Sequence, residues 1–422
     1  MSFISRLSIP RRALVALTFA LLAHAAPAHA ADPMKVGLSL SLTGGVASNG
    51  KQILMALELW RDDVNAKGGL LGRPVELVYY DDQSSPSNVP TLYTKLITVD
   101  KVDLLLGPYA TNMVAPAMPV IMQNNKTTIS FLAIGINRHF NYSKYFSMVP
   151  VGPKGAGAFS DGFFELAGAQ SPKPQTVAIV SADAEFAKTA ADAARDNAKA
   201  AGFTIVYERS YPPPTTDFLP VMRAVQAANP DVVYVAAYPP DTVGIIRAAN
   251  EINLTPKMFG GGMIGMLVTP IKVQLGPLAN GLVICESFVR APRFEFPGVA
   301  DLFKRYQANA RGQGVDPLGY GFAPFGYAAG QVLAKAVEET KSTDHDKLAA
   351  YIHGNTFQTV VGDVTFGKDG EWAKSRQLFT QFQNVAPNDL EQFRAGSKQL
   401  ILWPAEYKTG TMIYPYSEAR KN

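Results

Sequence analysis

Thr111 stands where a helical pattern over residues 113–124 begins, just after the branched run Val102 to Leu106 and the breaker Gly107-Pro108. A short buried strand, a break and a hydroxyl at a helix mouth make an anion cradle, because the first amides of a helix lack intrahelical acceptors and the macrodipole favours negative charge there. The same hydroxyl also serves as a plain helix cap, so the rest of the chain must decide between the two roles. Pro116 and Pro119 are expected to interrupt this helix, since proline cannot donate to the preceding turn. That weakens its dipole and shifts the burden of any anion contact to single amides near Thr111.

Other chemistry-bearing groups give weaker signals. Gly260-Gly261-Gly262-Met263-Ile264-Gly265 matches GxGxxG, with Glu286 at about the distance expected of a ribose-binding acid. It falls late in the chain, whereas a dinucleotide fold carries this fingerprint in its first strand-to-helix turn, so a plain glycine turn is the better reading. Asp81-Asp82 follows a strand pattern and reads as turn-capping acids rather than a catalytic pair. Beyond residue 30 the only histidines are His139, His345 and His353, with no spacing suited to zinc. Asp344 and His345 are expected to cap a helix, and Cys285, with no histidine nearby in sequence, to lie in the core. No metal, no cofactor and no catalytic residue is expected: the chain reads as a binder, and an oxidoreductase is the least favoured alternative.

The N-terminus places this binder outside the cytoplasm. Arg6, Arg11 and Arg12, an apolar run from Ala13 to Ala23, and Ala28-His29-Ala30 form a secretory signal peptide over residues 1–30, with an apolar run too short to span a bilayer. Trimming those 30 from 422 residues leaves 392, enough for two domains. The three leader arginines leave 36 basic against 35 acidic residues, which gives no electrostatic footprint for nucleic acid. One cysteine excludes an internal disulfide, so packing must supply the stability.

From residue 34 short apolar strands alternate with amphipathic helices, the pattern of α/β layering on parallel sheets. Strands are expected at 35–41, 75–80, 102–106, 127–131 and 145–149. In the first helix Ile53, Leu57, Trp60 and Val64 share one face, and Asn49 with Gln52 resembles a capping pair. After Pro150, Gly152 and Pro153 the rhythm restarts with strands at 176–180, 203–208 and 232–236 and intervening helices, then strands at 281–286 and 378–384. Two such arrays imply two lobes and a cleft. The expected boundaries are 31–150 with 287–361 for lobe one and 151–286 with 362–388 for lobe two. A third crossing is expected at 360–364, and 389–422 is expected to be an extended tail anchored by Trp403.

Lys35 to Ser41 with Thr43-Gly44, the run Val64-Asn65-Ala66-Lys67-Gly68-Gly69-Leu70-Leu71-Gly72-Arg73-Pro74-Val75, Tyr80-Asp81-Asp82, and Val361 to Gly370 together resemble the leucine/isoleucine/valine-binding family, periplasmic substrate-binding proteins of ABC transporters. The resemblance implies an α/β, type I periplasmic binding fold: two doubly wound Rossmann-like lobes joined by three crossovers, closing on a small-molecule ligand. It implies that Thr111 and the strand end at Leu132 to Ile134 hold a ligand carboxylate. At Leu132 and Ile134 apolar residues replace the family's small and hydroxyl-bearing ones, so backbone amides would have to serve. The family's two ammonium-facing tyrosines correspond to Phe186, which lacks the oxygen, and Tyr238. Its acid should fall within Gly260 to Met263, where there is none.

A buried ammonium without a carboxylate is costly, so an α-amino acid is disfavoured. Tyr109, Phe131, Phe186, Tyr238 and Phe322 could line an aromatic, mostly apolar pocket, with Asn49 and Met263 as further contacts. The expected ligand is a hydrophobic or aromatic monocarboxylate, and the expected protein partner a membrane permease, with the chain itself monomeric. An amino acid or amide ligand met by Asp183 or Glu185 is the first alternative, and a sensor for a membrane receptor the second.

Overall fold

A computed structural model describes residues 32–421; the expected signal peptide lies outside them. The strands that alternation predicts assemble into two large sheets. The first comprises β1 (Met34–Leu40), β2 (Val75–Asp81), β3 (Leu104–Tyr109), β4 (Thr128–Phe131) and β5 (Tyr145–Ser147), all parallel, in the order β2-β1-β3-β4-β5. The second holds β6 (Thr176–Ala182), β7 (Thr204–Tyr211), β8 (Val232–Ala237), β9 (Met258–Met263) and β10 (Val283–Glu286) in the order β7-β6-β8-β9-β10. The two arrays therefore repeat one topology. In such sheets the strand order reverses between the first and third strands, and ligands bind outside the carboxyl ends at that switch point.

Helix α1 (Ala47–Ala66) covers the first sheet through Ile53, Leu57 and Trp60, all buried, as the periodicity predicts. Asn49 and Gln52 form no capping pair. Gln52 Nε2 donates to the Ser48 carbonyl, and Asn49, one turn inside the helix, reaches across to Tyr109. Helix α2 (Val89–Thr98) packs against α3 (Thr111–Gln123), which runs through Pro116 and Pro119 without a break. The expected interruption is absent because each proline removes only one intrahelical bond, while Met113, Val114, Ala117, Met118 and Ile121 anchor the helix by burial.

Three passages of chain join the lobes and lie side by side. Arg376 N donates to the Pro150 carbonyl at 2.9 Å, and Ser287 Oγ donates to Gln377 Oε1 at 2.8 Å. The third passage is therefore at 372–377 and not at 360–364. That earlier stretch turns back on itself as the hairpin of β11 (Thr356–Thr359) and β12 (Gly362–Thr365), paired antiparallel. Phe366 then packs on Phe146 of β5, and Ser147 N donates to the Gly370 carbonyl, so the chain stays with the first sheet until Glu371. Burying these apolar side chains against β5 outweighs an immediate crossing.

The tail also differs from its expectation. β13 (Leu378–Phe382) pairs antiparallel with β10, and residues 389–422 contribute β14 (Gln399–Trp403), which pairs with β13 and closes that edge of the second sheet. Trp403 packs on Phe379 at a ring separation of 5.9 Å.

Two consequences can be measured. Gly330 lies in the helix Ala323–Thr340, where an added Cβ would come within 2.4 Å of the Trp60 ring. Alanine would gain about 1 kcal/mol of helix propensity but overpack the interface at about 1–3 kcal/mol. Gly330→Ala is therefore expected to lower the urea midpoint, and a rise would contradict this contact.

Glu371, buried between the lobes, accepts from the Gly135 amide at 2.8 Å. Burial pushes its pKa from 4.5 to about 7, against the opposing pull of that amide and of Arg138. The folded state then binds more protons than the unfolded one, so this contribution to stability is full below pH 4.5 and is lost as pH rises to about 7. Glu371→Gln should flatten the loss of stability over that window. Glu286, also pushed up to about 7, leaves a residual slope.

Candidate functional site

Both switch points face the same cleft. In the first sheet the loops after β1 and β3 bring residues 41–46 and 110–112 to its edge, and in the second the loops after β6 and β8 bring residues 183–185 and 238–241. A cavity of about 720 Å³ lies between them, lined by Gly45, Val46, Ser84 and Asn112 on one side and by Asp183, Glu185, Tyr238 and Asp241 on the other.

Backbone strain marks the first lobe's contribution. Ala110, immediately before α3, holds φ 73° and ψ 151°, and Leu132 at the end of β4 holds φ 51°. Such conformations cost of the order of 1–3 kcal/mol for residues with a Cβ and persist only where surrounding structure enforces them. Two hydrogen bonds join the two strand ends here, the first from the Ala110 amide to the Phe131 carbonyl at 3.1 Å. Thr111 Oγ1 accepts from the Ile134 amide at 3.0 Å, which leaves the hydroxyl proton free to donate. Ile134, expected to offer its amide to a ligand, gives it to Thr111 instead, and the next amide, Gly135, is held by Glu371. Those two amides are thus engaged within lobe one, while the Thr111 hydroxyl keeps its proton.

Asn49 Nδ2 donates to the Tyr109 hydroxyl at 2.7 Å, and Tyr109 packs edge-on to Phe322 at 5.4 Å. Both Asn49 and Tyr109 are buried, and burial pushes the Tyr109 pKa upward. Among the described residues Asn49 Oδ1 has no hydrogen-bond partner. Across the cleft Tyr238 packs edge-on to Phe186 at 5.8 Å, and Phe186 on Phe159 at 5.5 Å. Among the described residues the Tyr238 hydroxyl makes no hydrogen bond of ordinary geometry, with the amides of Phe186 and Ala187 nearby. Burial raises its pKa, as does the nearby Tyr109, while the first amides of helix α4 (Glu185–Ala200), those of Phe186 and Ala187, pull it back.

The structure thus brings Asn49, Tyr109, Thr111, Ile134 and Phe322 together in lobe one, opposite Phe186 and Tyr238 in lobe two. Met263, at the end of β9, is fully buried, and Leu132 is only partly so. Of these nine, Tyr238 alone lines the 720 Å³ cavity; the others form the layers behind or beside it. Residues not anticipated there are Asn112, Pro213, Pro214 and Asp241. Asp241 accepts from Tyr211 Oη at 3.0 Å and from the Tyr238 amide at 3.4 Å, and burial raises its pKa despite both bonds. For Asn112 and Asp241 the signal that could have found them is topological, since each lies just after the third strand of its array, whereas Pro213 and Pro214 reach the cavity from the loop after the second strand, β7.

The remaining chemistry-bearing residues have structural work. Gly260 and Gly261 lie inside β9, not at a strand-to-helix turn, and a Cβ on Gly260 would sit 1.8 Å from the Val283 carbonyl of the paired strand. Asp81 accepts from Thr43 Oγ1 and from the amides of Leu42, Thr43 and Gln83; these bonds outweigh the upward push of burial and hold its pKa low. Asp82 accepts from Ser41 Oγ at 2.6 Å. Asp344 caps the helix His345–Gly354, and Cys285 is buried.

Comparison with known proteins agrees with this geometry. The leucine-, isoleucine-, valine-, threonine-, and alanine-binding protein of Pseudomonas aeruginosa is 25% identical over 354 residues, covering 81% of this chain and 88% of that one. Among solved structures, a branched-chain amino acid transporter substrate binding protein from Streptococcus pneumoniae, in complex with isoleucine, superposes with a TM-score of 0.72 at 17% identity, covering 88% of this chain and 100% of that one. A solute binding protein of an ABC transporter from R. palustris, in complex with 4-hydroxybenzoate, also gives 0.72 at 19% identity, covering 84% and 94%. The two-lobed fold is the type I periplasmic binding fold, and this fold and family are those of non-enzymatic solute-binding proteins. Residues 33–384 match the family described as periplasmic binding protein, and the chain belongs to it.

Proposed function

We propose that this chain is the exported solute-binding component of an ABC transporter, taking a small carboxylate with an apolar or aromatic body between its lobes and delivering it to a membrane permease as a monomer. The observation that carries the reading is the Thr111 hydroxyl. It is fixed by the Ile134 amide at the first turn of a 13-residue helix, with its proton left to donate. Aromatic rings from both lobes, Tyr109, Phe186, Tyr238 and Phe322, supply the apolar walls such a ligand needs. Phe186 brings no oxygen and Gly262 no acid, so the inner layer offers nothing to neutralise an α-ammonium. Closure is hinge-like about the three adjacent passages, the common device for two-lobed binders.

A second reading, an amino acid ligand, draws on one observation: Asp183, Glu185 and Asp241 all line the cavity.

Calorimetry on the mature protein separates the two. Benzoate, 4-hydroxybenzoate and 4-methylpentanoate are expected to bind more tightly than leucine. Thr111→Ala should weaken the acids at least tenfold, about 1.4 kcal/mol, while Thr111→Ser, which keeps the hydroxyl, retains most of the affinity. Unchanged affinity in Thr111→Ala would overturn the carboxylate assignment, and leucine as the tightest ligand would favour the second reading.

A further inference from the structure

Glu371 is a carboxylate, 3% exposed, set at the seam where the lobes and the passages between them meet. It stands one residue before the third passage, and its Oε1 accepts from the Gly135 amide in the loop after β4. Its Oε2 faces lobe two. A Cβ on Gly155, in the segment Gly152–Phe159 just beyond the first passage, would lie 3.5 Å from Oε2 and 3.4 Å from Arg138 Nη2. The carboxylate therefore lies beside that segment with no side chain between them. The loop after β4 meets lobe two again at Gly135, where a Cβ would lie 3.5 Å from Thr189 Cγ2 of α4. The Gly135 amide follows directly on the Ile134 amide that fixes Thr111, so one short loop joins the cleft edge, lobe two and the third passage.

Few charged groups face this carboxylate. Arg138, exposed in the loop after β4, is the cation that acts on it; Asp369, in its own turn, is the like charge. Tyr145 of β5 is buried within range of its field. From lobe two Gly155 brings no charge, its neighbour Lys154 pairs with Asp161 at 2.7 Å, and Lys188 of α4 pairs with Asp183 at 3.0 Å. A carboxylate buried with only a distant cation is stable when neutral and costly when ionised. Parting the lobes along this seam returns it to water, where ionisation is cheap. The closed and open arrangements therefore differ in the protons they bind, and whatever shifts one equilibrium shifts the other.

We propose that Glu371 is a positioning residue for solute capture that works as a proton-linked latch: protonated, it stays in the seam and holds the loop after β4 against the closed lobes; ionised, it favours opening and release. The proposal rests on the hinge closure of the proposed function and not on the nature of the solute. Burial raises the Glu371 pKa to about 7, which places the transition near neutral pH. Because the closed form binds more protons, affinity is highest below that range and falls as pH rises through it.

The test is calorimetry with benzoate on the mature protein between about pH 6 and about pH 8, a range in which the ligand stays ionised. Wild-type affinity is expected to fall several-fold, up to about tenfold, with proton uptake on binding near neutral pH. Glu371→Gln, which keeps an acceptor for Gly135, should hold the tighter, low-pH affinity across the range. A wild-type affinity that does not change, or a slope that survives in Glu371→Gln, overturns the proposal. Should Glu371→Gln not fold, Arg138→Gln, at an exposed position, carries the test: its midpoint should move to higher pH, and an unmoved midpoint counts against Glu371. If benzoate does not bind, the carboxylate reading of Thr111 is what fails, and small-angle scattering of the unliganded protein decides the latch. A radius of gyration that grows with pH in the wild type and not in the variant supports it, and one that is constant in both overturns it.

Discussion

Closing two lobes over a cleft takes polar atoms out of water, and each that finds no partner costs about 1–3 kcal/mol. Asn49 Oδ1 and the Tyr238 hydroxyl are in that position, one in each lobe. Asn49 is already committed through its amide nitrogen to Tyr109, and Tyr238 is wedged against Phe186. On the proposed reading, a solute that supplies hydrogen-bonding groups in return favours closure, and part of the free energy that holds the lobes together comes from the bound molecule.

The fold delivers this arrangement by repeating one topology. In each lobe the loops after the first three strands of the array reach the cavity, so two unrelated stretches of sequence, residues 110–112 and 183–185, arrive at facing edges. Holding them there has a cost. Ala110 and Leu132 adopt positive φ, and hydrogen bonds from the Ala110 amide to the Phe131 carbonyl and from the Ile134 amide to Thr111 Oγ1 tie the two strand ends together. Strain at the ends of β3 and β4, together with the shift of register between Leu106 and Tyr109 where Gly107-Pro108 lies inside β3, is concentrated where the strands meet the cleft.

Local sequence carried much of this. The βα alternation, the buried face of α1, the hydroxyl at the start of α3 and the capping role of Asp344 are each set by short-range chemistry, and they stand in the structure as read from the residues. What was not legible depends on partners distant in sequence. Pro116 and Pro119 argue for a broken helix when taken alone, yet burial of five neighbouring side chains overrides them. The stretch at 360–364 carries a glycine and the look of a passage, but the affinity of Phe366 for Phe146 decides that it turns back. β14 is recognisable only once β13 offers it an edge. The gathering of Asp183, Glu185 and Asp241 around one cavity is invisible in sequence, because Asp241 comes from a different strand-to-helix connection. The assignment of Asn49 shows the same limit, since its spacing to Gln52 suggests a cap while its real partner, Tyr109, is 60 residues away.

The claim on which the account depends is that a ligand carboxylate is held at the first turn of α3. A crystal structure of the mature protein with the tightest-binding acid tests it without an intermediate. The account predicts a carboxylate oxygen within hydrogen-bond distance of Thr111 Oγ1, the lobes closed, and the apolar body bounded by Tyr109 and Tyr238. A ligand lodged outside the cleft, or one whose carboxylate points away from α3 with Thr111 making no contact to it, would contradict the account.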